Sequence, residues 1–383
     1  MKVLTAYTHE IDDVRQAVSE VLSQLGLEQN LCSNSAGIIS CYPEFIDSGV
    51  VAALCAELPF ETVGCTTIAN SSAGELGFTM LTLTVLTGND VAFAAALSGD
   101  LSSEQENTLK EAYERALSAL PGKPEMVMVY GPVIGTLGGE PIVDMMDKAC
   151  GGIPVFGTLA LDRTEDYRMA QTIHNGKGCR TELSMLLISG NIKPRFVVTG
   201  VSEKKILRQK AFITKSAGNV LIEVNGMPFL EYMSTLGLGS GDGSIEGANT
   251  LPLIVDYNDG TAPVTRAIYM INGDGHAVCA GNMPEGSALS VGTLEYSDIA
   301  ESAQALVAQI QECDGKDAII MYSCLARMLI LGFGAETELK AICSGFSIPY
   351  SVAYSGGEIC PVGDDDGTLI NRLHNFSIVS CLF

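Results

Sequence analysis

Strand-like apolar segments and helical segments alternate along this chain, and the pattern occurs three times. Each occurrence has a strand-like run, a helical stretch and a second strand-like run, and together they cover 37–65, 126–160 and 317–358. Strands joined by a helix normally pair in parallel through right-handed crossovers. The sequence therefore predicts an α/β fold built from strand–helix–strand units.

A different pattern lies between the second and third occurrences, at about residues 193–295. Strand-like runs there are separated by Asn225-Gly226 and Asn272-Gly273, dipeptides that are typical of tight hairpin turns. This pattern predicts an antiparallel insertion that opens the second half of the chain. We therefore expect two α/β lobes, residues 1–192 and 193–383, with α+β elements in the second.

Composition excludes two classes of partner. The 383 residues carry a formal net charge of −23, which disfavours binding to nucleic-acid phosphates and to anionic membrane surfaces. No run reaches the roughly 18 to 20 apolar residues of a membrane-spanning helix, and acidic residues interrupt the N-terminal segment before a signal-peptide core could form. We expect a cytoplasmic protein that does not insert into membranes.

Two similar short segments follow strand-like runs in the two halves of the chain. Ser71 to Glu75 reads SSAGE, and Ser355 to Glu358 reads SGGE. Small residues allow close approach of a backbone or ligand, and a carboxylate can hold a ligand ammonium by a charge-assisted hydrogen bond. The segments indicate an internal repeat that relates the two lobes, or two turns in which Glu75 and Glu358 satisfy backbone amides.

Arg327 and His374 also stand in apolar surroundings. Burying an arginine is costly unless it is paired, so Arg327 either reaches solvent or meets a carboxylate, from Glu358 or from a ligand. His374 precedes a strand-like run and is either a hydrogen-bonded core histidine or a ligand or metal contact.

Signatures of catalysis are absent from the sequence. It contains no Gly-x-Ser-x-Gly, His-Glu-x-x-His or phosphate-loop motif. The twelve cysteines include no Cys-x-x-Cys pair, so we expect most of them to be free core residues. We predict that the protein is not an enzyme, with a reactive Cys65 or Cys324 beside a histidine as the weaker alternative.

Several motifs together resemble the FIST (F-box and intracellular signal transduction) family. They occur in the family's order and span nearly the whole chain: Gly64-Cys65 with Ser72 to Glu75, Gly157 to Asp162, His174 to Gly176, Gly218-Asn219, Glu223 to Pro228, Ser323 to Arg327, Ser355 to Pro361 and His374-Asn375. The resemblance implies a FIST N-terminal part, residues 1–192, and a FIST C-terminal part, residues 193–383. It also implies a sensory module of intracellular signalling that binds small molecules such as amino acids.

The predicted ligand site combines residues from both lobes. They are Ser72, Gly74, Glu75, Arg327, Ser355, Gly357, Glu358, His374 and Asn375. In this hypothesis Arg327 binds an amino-acid carboxylate in a two-pronged contact, while Glu75 or Glu358 holds its ammonium. No cofactor is predicted in this case, and the signal would pass to a separate output protein or through a homo-oligomer. The resemblance also implies an alternative, a nitric-oxide sensor in which His374 or His174 binds haem.

Overall fold

The repeated pattern forms three similar units in the computed structural model, which describes residues 1–134, 138–164, 166–239, 245, 247–313 and 317–383. In each unit an edge strand comes first, a pair of parallel strands with crossover helices follows, and a β-hairpin and a closing strand end the unit. The first unit contains β1 (Lys2–Thr8), α1 (Val14–Leu25), α2 (Leu27–Asn30), β2 (Asn34–Cys41), α3 (Glu44–Asp47), α4 (Val50–Ala56), β3 (Thr62–Thr66), β4 (Ala69–Ser72), β5 (Glu75–Gly77) and β6 (Leu81–Gly88).

The second unit repeats this order with fewer helices. It contains β7 (Val91–Leu97), α5 (Gln105–Ala119), β8 (Pro124–Gly131), α6 (Gly139–Cys150), β9 (Val155–Leu159), β10 (Thr172–His174), β11 (Lys177–Cys179) and β12 (Ser184–Gly190). None of the described helices is long and apolar enough to cross a membrane.

The third unit begins with β13 (Arg195–Thr199) and is then interrupted by the antiparallel insertion. The insertion contains β14 (Ala211–Ala217), β15 (Val220–Val224), β16 (Met227–Pro228), α7 (Phe229–Thr235), β17 (Leu253–Asp256), β18 (Val264–Arg266), β19 (Ile268–Ile271), β20 (Ala277–Cys279) and β21 (Ala288–Val291). The unit resumes with α8 (Tyr296–Glu312), β22 (Ile319–Cys324), α9 (Leu325–Leu331), α10 (Glu336–Cys343), β23 (Tyr350–Ser355), β24 (Glu358–Gly363), β25 (Leu369–His374) and β26 (Ile378–Leu382). The predicted α/β class with an antiparallel insertion is confirmed.

Each unit gives its hairpin to the sheet of another unit. Sheet I has the order β1-β6-β2-β3-β10-β11, sheet II has β7-β12-β8-β9-β24-β25, and sheet III has β13-β26-β22-β23-β4-β5. In each sheet the third and fourth strands are parallel and the other neighbours are antiparallel. The internal repeat therefore has three copies, joined by a cyclic exchange of hairpins.

The two short segments that suggested the repeat occupy different places in their units. SSAGE forms the turn between β4 and β5, whereas SGGE connects β23 to β24. A better marker is glycine at the third position of β3 and β9. A Cβ atom on Gly64 would lie 1.9 Å from the carbonyl oxygen of Ile39, and one on Gly157 would lie 1.8 Å from that of Val129. These matching contacts explain why glycine occupies both positions.

The inner faces of sheets I, II and III share one apolar core. Ile38 of sheet I, Met128 of sheet II and Ile320 of sheet III all belong to it, and all are at most 3% exposed. The helices pack on the outer faces, where each sheet has a further core of its own. The insertion has a separate core. The three units thus meet along a common interior, and the boundaries between their sheets bring distant parts of the chain together.

Candidate functional site

The first strand of each exchanged hairpin carries a polar side chain at an equivalent position. Asn70 pairs with Ala353, Thr172 with Cys65, and Glu358 with Thr158. These three side chains are fully buried. Because their partners occupy the same place in the three sheets, Asn70, Thr172 and Glu358 are counterparts.

In the first two units this position makes hydrogen bonds to the segment before the closing strand. Asn70 Nδ2 donates to the carbonyl oxygen of Met80 at 3.1 Å, and its Oδ1 accepts from Thr67 Oγ1 at 3.0 Å. Thr172 Oγ1 donates to the carbonyl oxygen of Glu182 at 2.7 Å. Neutral side chains therefore satisfy the structural requirement of this position.

In the third unit the same position holds a carboxyl group that is only partly satisfied. Ser377 Oγ donates to Glu358 Oε2 at 3.2 Å. Glu358 Oε1 has no nitrogen or oxygen partner among the described residues, and the same is true of the hydroxyl of Ser355, which is also fully buried. An unpaired buried polar group costs roughly 1–3 kcal/mol, and more if it is charged. Glu358 and Ser355 therefore offer hydrogen-bonding capacity that the described protein atoms leave unused.

Burial decides the ionisation of Glu358. It raises the pKa of the carboxyl well above its usual range, and the opposing effects of Ser377, Arg327 and the Cys324 thiol do not cancel this rise. Burial likewise raises the pKa of the Cys324 thiol. Burial thus favours the neutral form of both the Glu358 carboxyl and the adjacent Cys324 thiol. A cation or hydrogen-bond donor that approached the carboxyl would favour its ionised form instead.

Arg327 is committed to another carboxylate. Its Nε donates to Glu338 Oε1 at 2.8 Å, Nη2 also contacts this oxygen and donates to Ser302 Oγ at 2.8 Å, and Nη1 donates to the carbonyl oxygen of Phe376 at 3.3 Å. The side chains of Arg327 and Glu338 are both completely buried. Of the two outcomes left open for Arg327, the structure shows contact with a carboxylate, but the partner is Glu338 of α10 and not Glu358.

Glu338 is equally well satisfied. Ser323 Oγ donates to its Oε2 at 2.9 Å, and the hydroxyl of Tyr354 donates to the same oxygen. With Arg327 on the other oxygen, the carboxylate has partners on both sides. This network ties α9 and α10 to β22 and β23, which makes it a structural support for the end of β23 where Ser355 lies.

His374 and Asn375 lie next to Glu358 but are occupied by backbone contacts. His374 pairs with Glu358 across β24 and β25, and its Nε2 is 3.0 Å from the carbonyl oxygen of Cys360. Burial lowers the pKa of His374 to about 4, so the ring is neutral near pH 7. Asn375 Nδ2 donates to the carbonyl oxygen of His374 at 2.9 Å. These contacts position the end of the hairpin.

Gly357 has a structural role beside the same carboxyl. Its φ of 150° lies in the region that favours glycine. Its carbonyl oxygen accepts hydrogen bonds from the backbone nitrogen of Leu159, at 3.1 Å, and from Thr158 Oγ1, at 2.9 Å. Gly357 thus anchors β24 to β9 and fixes the position from which Glu358 projects.

The structure does not bring the residues of the first lobe to this site. Ser72 pairs with Ser351 near the start of β23, and Gly74 N donates to the Tyr350 hydroxyl at 2.8 Å. Ser351 precedes Ser355 by four residues, about 13 Å along a strand. Glu75 is exposed at the hairpin turn. The two glutamates therefore do not line one cleft, although the buried Ser72 hydroxyl also has no partner among the described residues.

The alternative haem ligand His174 lies in another hairpin. His174 is the last residue of β10 and precedes Asn175. The distance between Asn175 Nδ2 and His174 Nε2 is 3.4 Å. Burial lowers the pKa of His174. Within the described ranges, no group of three or more His, Cys, Asp or Glu side chains is arranged to hold a metal ion. The haem alternative stays a prediction.

The sequence analysis did not single out Ser377, Tyr167 or Tyr269. Tyr167 and Tyr269 interact through their side chains, and burial, with a smaller effect from Cys324, raises the pKa of both hydroxyls. Tyr167 has a left-handed φ of 52°. Asp162, which ends the recognised Gly157 to Asp162 motif, organises its loop by accepting hydrogen bonds from Thr164 Oγ1, at 2.5 Å, and from Met169 N, at 2.6 Å. Ser377 lies just beyond the His374-Asn375 motif and Cys324 lies inside the Ser323 to Arg327 motif, but only the fold shows that both adjoin Glu358.

Comparison with known proteins shows that the sequence matches two models of one protein family. A model of the FIST N domain matches residues 35–227 and a model of the FIST C domain matches residues 229–361. The boundary between the matches falls within the insertion, and the division at 192/193 stays a prediction. No curated protein matches the chain. The crystal structure of cyanuric acid hydrolase from A. caulinodans is similar at 12% identity and a TM-score of 0.40, over 100% of this chain and 98% of that one. Because the two family models cover most of the sequence, the chain belongs to the FIST family, whose domains are sensory domains of signal transduction.

Proposed function

We propose that this protein is a sensor in which Glu358 binds the amine group of a small molecule, such as an amino acid. One observation carries the proposal: Glu358 is a buried carboxyl whose Oε1 has no nitrogen or oxygen partner among the described residues, at a position where the other two units have satisfied neutral side chains. An ionisable group is not needed for the structural contact. Its presence is explained if it recognises a ligand.

An ammonium group fits the chemistry of these side chains. It has three N–H donors, one of which can bond to Glu358 Oε1, which has no nitrogen or oxygen partner among the described residues, and a charge-assisted bond to a carboxylate is about twice as strong as a neutral one. Because the neutral form of Glu358 is favoured in the free protein, binding of an ammonium would release a proton.

The structure offers less support for recognition of an amino acid's carboxylate than for recognition of its amine. Arg327, its expected partner, is neutralised by Glu338. A second anion at this guanidinium would have to displace a buried ion pair, which is strongly unfavourable. We therefore propose that recognition centres on the amine, and that amino-acid amides bind about as well as the free acids.

The proposal describes binding rather than catalysis, in the cytoplasm, with the signal passed to a separate output protein or through a homo-oligomer. A thermal-shift screen of free amino acids, their amides and their N-acetyl derivatives tests it. Compounds with a free amine should stabilise the protein, by roughly 2.7 kcal/mol at 100 times Kd. N-acetylation should abolish the effect.

Two matched variants assign the effect to the site. Glu358→Gln should abolish stabilisation by amines, whereas Glu75→Gln, at the exposed hairpin turn, should leave it unchanged. Equal stabilisation of the Glu358→Gln protein, or stabilisation by N-acetyl compounds as large as that by free amines, would contradict the proposal.

A further inference from the structure

The two halves of the chain are linked by reciprocal exchange of β-hairpins. Residues 1–192 contain the first two units, and residues 193–383 contain the third unit with its insertion. The hairpin β24–β25 of the second half forms the end of sheet II, and the hairpin β4–β5 of the first half forms the end of sheet III. The first half therefore lacks two strands of sheet II, although it contains all six strands of sheet I, and the second half lacks two strands of sheet III.

The exchanged hairpins supply core residues as well as strand edges. Ile359 and Leu373 are fully buried in the outer core of sheet II, among residues of α5 and α6. Ile68 and Ala69 are buried in the outer core of sheet III. If the hairpins were withdrawn, each half would expose apolar surface and a free strand edge, two features that favour aggregation.

Polar contacts add specificity to this exchange. Asn371 of β25 is buried, and its Oδ1 accepts from Val155 N at 2.7 Å. Its Nδ2 donates to Asp147 Oδ1 at 2.5 Å and to the carbonyl oxygen of Ile153 at 3.0 Å. One side chain of the second half thus satisfies three groups of the first.

The insertion makes a separate link to the first half. Arg266 of β18 is fully buried, and its Nη2 lies 2.7 Å from Glu140 Oε2 at the start of α6. Its Nη1 donates to the carbonyl oxygen of Leu373 at 2.8 Å. Separation of the halves would therefore break this buried ion pair.

We propose that the two halves are obligate partners: the surface that each presents is complementary to the other half, and neither forms a folded module by itself. The FIST N and FIST C segments of this chain are then parts of one cooperative unit. This inference rests on strand pairing and burial, and it is independent of any ligand.

Cleavage of the folded, full-length chain tests the proposal. A specific protease site is inserted after Lys193, an exposed residue between β12 and β13, and the cleaved protein is examined by size-exclusion chromatography and circular dichroism. We expect the fragments to elute together at the position of the intact chain, or to lose their structure if they separate. Elution of either fragment as a separate folded monomer would overturn the proposal.

Hydrogen exchange of the uncleaved protein gives a second test. Asn371→Ala should accelerate amide exchange on the order of 10-fold in strands of both halves, because a buried hydrogen-bond network that joins them is lost. Asn107→Ala, at an exposed position of α5, is the matched control and should leave exchange unchanged. Acceleration confined to β24 and β25 would show that the halves unfold independently and would overturn the proposal.

Discussion

Replacement of Arg327 by methionine tests whether this arginine is structural. The substitution keeps an unbranched side chain but leaves Glu338 buried without its cationic partner. Removal of one member of a buried ion pair typically costs 3–5 kcal/mol. The hydroxyls of Ser323 and Tyr354 still donate to Glu338, so we expect the lower part of this range, about 3 kcal/mol. Urea unfolding followed by circular dichroism measures the loss.

Two further proteins complete the comparison. Lys340→Met removes an exposed ion pair with Glu336, one turn apart on α10, and should cost less than about 1 kcal/mol. The double variant Arg327→Met/Glu338→Leu replaces both buried charges and should recover much of the stability lost in the single variant. If Arg327→Met cost no more than Lys340→Met, the guanidinium would not be held as described, and it would again be a candidate for binding a ligand carboxylate.

Three other predictions concern pH, packing and haem. The pKa of His374 falls from 6.5 to about 4 on folding, because the folded protein buries the neutral ring. The free energy of unfolding therefore contains a contribution from His374 that is complete above pH 6.5 and is lost as pH falls to 4. At 1.36 kcal/mol per pH unit this contribution is about 3 kcal/mol, and unfolding midpoints of wild type and His374→Gln over this range should differ in slope. A Cβ at position 157 would lie 1.8 Å from the carbonyl oxygen of Val129, so Gly157→Ala should lower the free energy of unfolding in urea by at least about 3 kcal/mol. Gly151→Ala is the control, because a Cβ there meets nothing within 4 Å. Its only penalty is the φ of 65°, and it should cost about 1 kcal/mol. Because the His374 Nε2 lies against the Cys360 carbonyl, we expect that His374 does not ligate haem, and a Soret band that appears after haem loading and disappears in His374→Ala or His174→Ala would support the haem alternative.

Local periodicity was sufficient to predict the fold class. The apolar runs of β2, β8 and β22 and the helical segments that follow them are visible in the sequence. The Asn225-Gly226 turn correctly marked an antiparallel hairpin in the insertion. Both features depend on neighbouring residues, which explains why sequence reasoning succeeded there.

Pairings between distant residues could not be predicted in the same way. The segments SSAGE and SGGE look alike, yet one is a hairpin turn and the other a connection between β23 and β24. Asn70, Thr172 and Glu358 are counterparts with three different residue types, and only strand register shows their relation. The partner of Arg327 depended on how α10 packs against α9, which periodicity does not determine.

The pH dependence of amine binding tests the role of Glu358 most directly. Burial raises the pKa of this carboxyl in the free protein, so binding of an ammonium should release one proton. The affinity of the best amine from the thermal-shift screen, measured by calorimetry, should then increase with pH, by up to tenfold per unit while Glu358 is protonated in the free protein. Glu358→Gln should bind weakly and without this slope. An affinity that is constant or falls with rising pH, or a slope that survives in Glu358→Gln, would contradict the assignment of Glu358 as the ligand-binding group.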